Sequence, residues 1–288
     1  MSELNITSKT SLYAIIGNPI DHSLSPVMQN AAFEAVGLDA VYLALRVESS
    51  MLRQAIDGFR AINLSGFNIT IPHKVTVMKY LDELDSSAAT IGATNTVVNR
   101  EGKLIGYNTD GTGALEALRE AGVDPQGRRV LLLGAGGAAR ALAFSLAKTA
   151  ERITILNRTA SKAESLAEDV RHTTGATVIH GKLDSSTLGK ETASINLLVN
   201  TTSVGMNPRS EETPMEARFL RPDMVVFDIV YSPLETRLLR EARAVGAKHV
   251  GGLMMLVHQG AQAFELWTGK KAPIPTMTEA LRSVLGVD

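Results

Sequence analysis

The chain has 288 residues, of which 44% are hydrophobic and 20% are charged, and its formal net charge is −1. These proportions are typical of a globular protein, and the near-neutral charge gives no indication of a nucleic-acid or membrane partner through bulk electrostatics. Cysteine is absent, which excludes disulfide bonds, thiolate zinc sites and a cysteine nucleophile. The length exceeds that of most single hydrophobic cores, so we expect two domains.

The sequence predicts neither a signal peptide nor a membrane segment. The first ten residues, MSELNITSKT, lack the charged and then apolar pattern of a signal peptide. No apolar run approaches the about 18 residues that span a bilayer. We therefore expect a cytoplasmic protein without a membrane or nucleic-acid partner.

The first 110 residues alternate between strand and helix patterns, which predicts an α/β domain with a mixed sheet. Ser25 is the expected N-cap of the first helix, Pro26 suits its first turn, and Gly37 suits its end. The turn Asn99–Gly102 predicts a hairpin. The predicted strands are Leu12–Gly17, Val41–Val47, Gly66–Thr70, Thr94–Val98 and Leu104–Tyr107, and the predicted helices are Pro26–Val36 and Met51–Ala61.

The rest of the chain predicts a Rossmann-type, doubly wound parallel sheet. A helix at Thr112–Ala121 leads into buried strands that alternate with helical patterns. The last two helices, Leu253–Trp267 and Met277–Val284, break this alternation, so we expect them to pack on the first domain. The expected domains are residues 1–110 with 253–288, and residues 111–252. The predicted strands are Val130–Leu133, Ile153–Leu156, Thr177–His180, Ile195–Asn200 and Met224–Asp228.

A glycine-rich loop follows the strand Val130–Leu133 and matches the pattern G-x-G-x-x-A from Gly134 to Ala139. Gly134 permits a tight turn, and Gly136 permits close approach of the backbone to a pyrophosphate. Ala139 is small enough for close packing of helix against strand. The N-terminus of the next helix, predicted at Ala138–Lys148, offers N–H donors to the anion. The sequence therefore predicts a dinucleotide site.

The second strand of this domain ends in Asn157-Arg158-Thr159, where an NAD site usually carries Asp or Glu for the ribose hydroxyls. Amide, guanidinium and hydroxyl groups suit a 2′-phosphate instead, and Lys162 lies one helical turn further on. We therefore predict NADP rather than NAD. The alternative is that Arg158 and Lys162 are only a solvated strand end and helix face.

Polar side chains follow the predicted strands of the first domain, at the edge where ligands of open α/β sheets bind. Ser23 and Ser25 lie two residues apart before the first helix, so both hydroxyls can face one ligand, although both also suit capping of that helix. Asn68 and Thr70 share one face of their strand. Further polar runs at strand ends are Ala93–Thr96, Gly106–Gly111 and Asn200–Met206.

Lys74 is expected to begin a helix just past the strand Gly66–Thr70. A cation near a helix N-terminus is electrostatically disfavoured, which favours use of its amine in proton transfer. The alternative is a solvated lysine. Asp110 precedes the helix predicted at Thr112, so it is either the N-cap of that helix or the partner of Lys74 in a proton-transfer pair beside a nicotinamide.

A series of motifs, in order along nearly the whole chain from Ile16 to Gly269, resembles the motifs of shikimate dehydrogenases. Members of that family reduce 3-dehydroshikimate to shikimate with NADPH, in the shikimate pathway to chorismate and the aromatic amino acids. The resemblance implies a substrate-binding α/β domain, an NADP-binding Rossmann domain, and C-terminal helices that return to the first domain. The motifs are HSLSP, NITIPHK, GATNT, GYNTDG, GAGGAAR, NRT, TTSVGM, YSPLETRLL and GGLMMLVHQGAQAF.

The resemblance also implies roles for individual residues. Lys74 and Asp110 would be the catalytic pair, with Lys74 delivering a proton to the alkoxide while the ketone carbon receives a hydride. The implied substrate-binding residues are Ser23, Ser25, Thr70, Asn95, Tyr231 and Gln259. The implied cofactor-binding residues are Gly134, Ala135, Gly136, Gly137 and Ala138 at the pyrophosphate, Asn157, Arg158, Thr159 and Lys162 at the 2′-phosphate, and Met206, Ile229, Gly252 and Met255 at the nicotinamide.

Three other functions are considered beside this one. Quinate/shikimate dehydrogenases, with broader substrate and cofactor use, share the loops but often carry an acid where this chain has Thr159. A non-enzymatic NADP-binding regulatory module would need the glycine loop but neither Lys74 nor Asp110. A reductase of the glutamyl-tRNA type shares the glycine loop, but its chemistry needs a cysteine nucleophile.

The histidines do not predict a metal site, because the six of them are scattered without metal-ligand spacing. His22, His73 and His258 flank the proposed site, where packing or capping explains them better than catalysis. The sequence leaves both a monomer and a homodimer open.

Overall fold

The computed structural model describes residues 6–287. They divide into two compact units: the residues up to Thr109 together with those from Val257 onward, and the residues Asp110–Leu256. One of the two boundaries falls inside the helix Leu253–Thr268. Within residues 6–287, no helix has both the length and the apolar character needed to cross a bilayer.

Strands and helices alternate through most of these residues. The strands are β1 (Ser11–Gly17), β2 (Ala40–Arg46), β3 (Gly66–Ile69), β4 (Glu83–Leu84), β5 (Thr96–Arg100), β6 (Lys103–Tyr107), β7 (Arg129–Leu133), β8 (Arg152–Asn157), β9 (Val178–Lys182), β10 (Leu197–Asn200), β11 (Val225–Asp228) and β12 (Lys248–Val250). The α-helices are α1 (Ser25–Ala35), α2 (Leu52–Ala61), α3 (Ser86–Ile91), α4 (Asp110–Glu120), α5 (Gly137–Leu146), α6 (Ala160–Thr174), α7 (Ser185–Glu191), α8 (Arg237–Ala244), α9 (Leu253–Thr268) and α10 (Ile274–Leu285). Short 3₁₀-helices lie at Ser49–Met51, Thr76–Tyr80 and Ala217–Phe219.

The first unit is built on a mixed sheet in the order β2-β1-β3-β5-β6-β4, as predicted. The strand β1 is parallel to β2 and β3, whereas β5 is antiparallel to both β3 and β6. The β5–β6 connection is the predicted hairpin, and its turn residues Glu101 and Gly102 both have positive φ, as a two-residue hairpin turn requires.

Helices pack on both faces of this sheet. The side chains of β1 point alternately to the two faces, so this strand contributes to the core on each side. On one face Ala14 and Ile16 pack in a buried cluster with Leu52 and Ile56 of α2. On the other face the ring of Tyr13 lies 5.0 Å from that of Phe33 in α1, and α10 packs on α1. The C-terminal helices therefore return to the first unit, as expected from the sequence.

Two local predictions in this unit are wrong. Ser25 is not an N-cap: it is the first residue of α1, and the N-cap position belongs to Leu24. The hydroxyl oxygen of Ser23 instead accepts the N–H of Ser25 at 3.3 Å, which satisfies one of the donors that a helix start leaves open. Lys74 does not begin a helix, because it lies in a turn and the 3₁₀-helix begins only at Thr76. The electrostatic argument from a helix N-terminus therefore does not apply to Lys74.

The second unit is the predicted doubly wound sheet, with all strands parallel in the order β12-β11-β10-β7-β8-β9. The order reverses at the adjacent strands β7 and β10, which is where such folds bind ligands. Two predictions differ from the structure. The strand β12 was not predicted, because two of its three residues, Lys248 and His249, are exposed. Asp110 does not precede α4 as its cap, since α4 begins at Asp110 itself.

Candidate functional site

Several of the predicted site residues of the first unit lie at one edge of its sheet. The ends of β1 and β3 and the start of β5 meet there, because β3 is parallel to β1 and antiparallel to β5. Thr70 follows β3, and its N–H donates to the carbonyl oxygen of Ile16 at 2.9 Å. Asn95 immediately precedes β5. The loop with Ser23 follows β1, and the turn with Lys74 follows β3, so both leave the sheet from this same edge.

Asn95 is 2% exposed, and its side-chain amide contacts partners from two other segments. Its Oδ1 accepts the backbone N–H of Thr109 at 2.8 Å. Its Nδ2 donates to Thr109 Oγ1 at 2.8 Å and to Gln259 Oε1 at 3.3 Å. Because a backbone N–H only donates, the contact with Thr109 fixes which way the amide of Asn95 faces. The structure thus brings together Asn95 and Gln259, two of the predicted substrate residues.

The turn that carries Lys74 is held by backbone contacts on both sides. The imidazole of His73 is 1% exposed, and its Nε2 lies 2.7 Å from the carbonyl oxygen of Val47, to which it donates. The carbonyl oxygen of Lys74 accepts the N–H of Thr94 at 2.8 Å. His73 therefore has the structural role that the sequence suggested, and the backbone of Lys74 is tied to the segment that leads into Asn95.

Glycine suits positions 134 and 136 of the loop in the second unit for different physical reasons. Gly134 has a φ of +114°, and a Cβ there would lie 2.6 Å from Thr201 Oγ1, so the turn itself requires glycine. Gly136 has a φ of −90°, which any residue can adopt, and apart from its chain neighbours no atom of the described residues lies within 4 Å of the place of a Cβ. The helix α5 begins at Gly137, so its N-terminal N–H groups lie next to this open space. The open space and the helix N-terminus together form a cradle that fits a phosphate group.

The end of β8 presents cationic and polar groups beside this cradle, since β8 pairs with β7. The Nδ2 of Asn157 donates to the carbonyl oxygen of Thr159 at 2.9 Å. Thr159 is the N-cap residue of α6, and the N–H of Lys162 donates to its carbonyl oxygen at 3.1 Å. Arg158, Thr159 and Lys162 are exposed. Two cations and a helix N-terminus on one turn fit a dianionic phosphate.

Ile229 and Gly252 approach each other closely beyond the end of β11. The N–H of Gly252 donates to the carbonyl oxygen of Val230 at 3.3 Å, and a Cβ at position 252 would collide with the carbonyl group of Ile229. Only glycine allows this approach. Two other predicted cofactor residues belong to neighbouring segments, Met206 to the loop after β10 and the buried Met255 to the first turn of α9.

Asp228 is a buried carboxylate that sequence reasoning did not single out. It ends β11, is fully buried, and accepts hydrogen bonds from Asn200 Nδ2 at 2.9 Å, from the Val230 N–H at 3.1 Å and from Thr236 Oγ1 at 2.7 Å. Burial raises the pKa of Asp228 to about 6. Its contacts fix the start of the loop that carries Ile229 and Tyr231. An acid at the end of an otherwise apolar strand was the signal that could have identified it.

Asp110 is the first residue of α4 and is 4% exposed. Lys74 belongs to the first unit and Asp110 to the second. Their pairing stays a prediction.

Family models match three stretches of the chain. The shikimate dehydrogenase substrate binding domain matches residues 15–97, shikimate/quinate 5-dehydrogenase matches residues 116–230, and the shikimate 5′-dehydrogenase C-terminal domain matches residues 252–282. A shikimate dehydrogenase (NADP⁺) of Moorella thermoacetica is 45% identical over 284 residues, which cover 98% of this chain and 96% of that relative. The chain belongs to the shikimate dehydrogenase family.

Solved structures of shikimate dehydrogenases are also similar over nearly the full length. A shikimate dehydrogenase crystallised with NADP⁺ has a TM-score of 0.90 and 44% identity, with 97% of each chain covered. The shikimate dehydrogenase of Thermus thermophilus, crystallised with NADP(H) and shikimate, has a TM-score of 0.85 and 39% identity, with 96% of this chain and 100% of that chain covered.

The motifs of the shikimate dehydrogenase family did not assign a role to every polar residue that hydrogen-bonds to the candidate site residues. Tyr42 and Thr96 contribute side chains to the hydrogen bonds around Asn68 and Asn95. Thr96 belongs to the polar run Ala93–Thr96 and to the motif GATNT, but no individual role was predicted for it from the sequence. Tyr42 carried no signal in the sequence, because tyrosine is an ordinary strand residue.

Proposed function

We propose that this protein is an NADP-dependent shikimate dehydrogenase, which reversibly reduces 3-dehydroshikimate to shikimate in aromatic amino-acid biosynthesis. The observation that carries the proposal is the hydrogen bond from the Thr94 N–H to the Lys74 carbonyl oxygen, at 2.8 Å. It ties an amine-bearing turn to the segment that carries the buried amide of Asn95. This contact supports a site in which the amine of Lys74 donates the proton and the amide of Asn95 binds a substrate hydroxyl.

The substrate carries a carboxylate and ring hydroxyls, so it needs several donors and acceptors at fixed positions. In the first unit we assign these to Ser23, Ser25, Thr70, Asn95 and Gln259. The contact between Asn95 and Gln259 at 3.3 Å supports this assignment, because it leaves both amides oriented. Tyr231, in the second unit, is assigned to the substrate by the family resemblance.

We assign the cofactor to the second unit. The pyrophosphate is held by Gly134, Ala135, Gly136, Gly137 and Ala138, the 2′-phosphate by Asn157, Arg158, Thr159 and Lys162, and the nicotinamide by Met206, Ile229, Gly252 and Met255. The space beside Gly136 and the N-terminus of α5 support the first assignment. The two cations at the end of β8, where no acid stands, support NADP over NAD.

NADPH, when bound, supplies the hydride that the ketone carbon accepts. The side chain of Lys74 supplies the proton to the carbonyl oxygen as negative charge develops there, and takes it back in the reverse reaction. Asp110 completes the catalytic pair. The hydroxyls and amides of the first unit orient the ketone.

The proposal is tested by the rate of NADPH oxidation on addition of 3-dehydroshikimate. We expect a saturable rate for the wild-type protein and a loss of that rate in Lys74→Ala. The matched control is Lys79→Ala, because Lys79 is exposed on the adjacent 3₁₀-helix. A wild-type protein that binds NADPH but shows no such rate would contradict the proposal and would favour a regulatory module.

A further inference from the structure

Tyr42 is a buried tyrosine whose hydroxyl reaches the candidate substrate site from the edge strand of the sheet. It lies in β2 and is 1% exposed. Tyr42 pairs with Tyr13 of β1, which pairs with Gly66 of β3, and Asn68 lies two residues further along β3 on the same face. The phenol thus extends across β1, and its hydroxyl donates to Asn68 Oδ1 at 2.6 Å.

The ring of Tyr42 is held in place by Trp267 of α9, with 6.0 Å between the ring centroids. The indole is fixed in turn, because its Nε1 donates to the carbonyl oxygen of Val97 at 2.9 Å. Gly66 makes room for it, since a Cβ there would collide with the indole. The direction of the Tyr42 hydroxyl is therefore set by packing rather than by solvent.

A chain of hydrogen bonds leads from Tyr42 to the amides that we assign to the substrate. Asn68 Nδ2 donates to Thr96 Oγ1 at 3.0 Å, and the hydroxyl of Thr96 donates to Asn95 Oδ1 at 3.0 Å. Asn95 Nδ2 then donates to Gln259 Oε1 at 3.3 Å. Every donor in this chain points from Tyr42 toward Gln259.

Backbone groups exclude the opposite direction. Asn68 Nδ2 also donates to the carbonyl oxygen of Asn95 at 3.1 Å, and Asn95 Oδ1 also accepts the N–H of Thr109 at 2.8 Å. A carbonyl oxygen only accepts and an N–H only donates, so neither amide can turn over without losing these contacts. The hydroxyl of Tyr42 then donates to Asn68 Oδ1, a buried acceptor that would destabilise the folded protein if it had no donor.

We infer that Tyr42 is a positioning residue for substrate binding, which acts through Asn68 and Thr96 to orient the amides of Asn95 and Gln259. The inference rests on the proposed function, because it takes these two amides as substrate-binding groups. Hydrogen bonds in a buried chain strengthen one another, so removal of the first donor weakens the order of the last amide. Tyr42 acts on the substrate only through these residues and does not contact it.

The test compares Tyr42→Phe with Tyr13→Phe in the oxidation of shikimate by NADP⁺. Both tyrosines pack on Trp267, and the hydroxyl of Tyr13 also has a side-chain partner, Ser65, which lies outside the chain of hydrogen bonds. For Tyr42→Phe we expect the KM for shikimate to rise about tenfold, because a buried acceptor loses its donor. We expect kcat and the KM for NADP⁺ to change less than about twofold. Tyr13→Phe, which loses a hydroxyl outside this chain of hydrogen bonds, leaves all three constants unchanged.

Two further variants separate positioning from a general loss of stability. Thr96→Val breaks the chain of hydrogen bonds at its third member, and we expect it to raise the KM for shikimate in the same way. In a Gln259→Ala background, Tyr42→Phe has little further effect on that KM, because the chain of hydrogen bonds no longer ends on the substrate. Thermal unfolding of each variant is recorded in parallel.

An unchanged KM for shikimate in Tyr42→Phe would overturn the inference, and so would an equal rise in Tyr13→Phe or a full additional rise in the Gln259→Ala background. These outcomes leave wild-type activity intact. A wild-type protein without any shikimate-dependent reduction of NADP⁺ would instead overturn the proposed function, and the inference with it.

Discussion

Asn200 and Asp228 end neighbouring strands of the parallel sheet, and the side-chain amide of Asn200 donates a hydrogen bond of 2.9 Å to the carboxylate of Asp228. Thr236, the N-cap of α8, donates to the same carboxylate at 2.7 Å and accepts the N–H of Leu239 at 3.3 Å. One buried side chain thus joins two strand ends to the start of a helix. These two donors and the N–H of Val230 compensate only in part for the loss of water around the charge.

Asp228 should contribute more to the stability of the protein at low pH than at neutral pH. Burial raises the pKa of Asp228 from its ordinary value of 3.8 to about 6, so the folded protein binds this proton more tightly than the unfolded chain does. The contribution of Asp228 to the free energy of unfolding is therefore highest below about pH 4, falls as the pH rises to about 6, and is constant above that. We expect Asp228→Asn to lose this dependence.

The measurement is denaturant unfolding of both proteins at about pH 4 and about pH 7. Relative to Asp228→Asn, the wild-type protein should gain stability at the lower pH. If the difference in free energy of unfolding between the two proteins does not change with pH, or changes in the opposite direction, Asp228 is not the source of the pH dependence.

Lys74→Ala should lower kcat by about two to four orders of magnitude, the range for a general acid–base group. The KM for NADPH should change little. The hydrogen bond that holds the turn involves the backbone of Lys74, so alanine keeps the fold. Steady-state kinetics with 3-dehydroshikimate decide this, with Lys79→Ala as the control. A kcat equal to that of the control would remove Lys74 from the catalytic role.

Gly134→Ala should lower the stability of the protein, whereas Gly136→Ala should weaken cofactor binding and leave the stability unchanged. Gly134 has a positive φ and lies against Thr201, so alanine there should lower the free energy of unfolding by about 1 kcal/mol or more. Gly136 has room for a Cβ, so Gly136→Ala should unfold like the wild-type protein but bind NADPH weakly. Thermal unfolding with and without NADPH measures both effects. Strong thermal stabilisation of Gly136→Ala by NADPH would show that the pyrophosphate lies elsewhere.

Arg158→Ala should raise the KM for NADPH about tenfold to a hundredfold, because one charge-assisted contact with the 2′-phosphate is lost. The KM for NADH should hardly change, since NADH lacks that phosphate. Arg171→Ala is the control, because Arg171 is an exposed cation in the last turn of α6. Equal losses for NADPH and NADH would mean that Arg158 does not recognise the 2′-phosphate.

The sequence predicted the features that depend on local pattern. Buried strands such as β7 could be predicted because they are short apolar runs. The loop that begins at Gly134 could be predicted because its turn requires glycine, and the spacing of glycines is visible in the sequence. Helix starts were harder, because Ser23 and Ser25 are both good caps and the pattern does not rank them. Lys74 was likewise expected to begin a helix, but it lies in a turn two residues before the 3₁₀-helix that begins at Thr76.

Long-range polar contacts could not be predicted, because no local pattern encodes them. Tyr42 and Asn68 are 26 positions apart, and Asn95 and Gln259 are 164 positions apart. Motifs identified Asn95 and Gln259 singly, but only the folded sheet shows that their amides touch. Asp228 carried a local signal, because it is an acid at the end of an apolar strand, but its donors from β10 and from the N-cap of α8 could not be predicted.

If this protein is an NADP-dependent shikimate dehydrogenase, it should oxidise shikimate with NADP⁺ in preference to the other combinations of substrate and cofactor. Initial rates of cofactor reduction are compared for shikimate and quinate, each with NADP⁺ and with NAD⁺, over the same concentration range. We expect the highest kcat/KM for shikimate with NADP⁺, and a much lower value when either quinate or NAD⁺ is substituted. Equal or higher kcat/KM with quinate and NAD⁺ would contradict the proposed function.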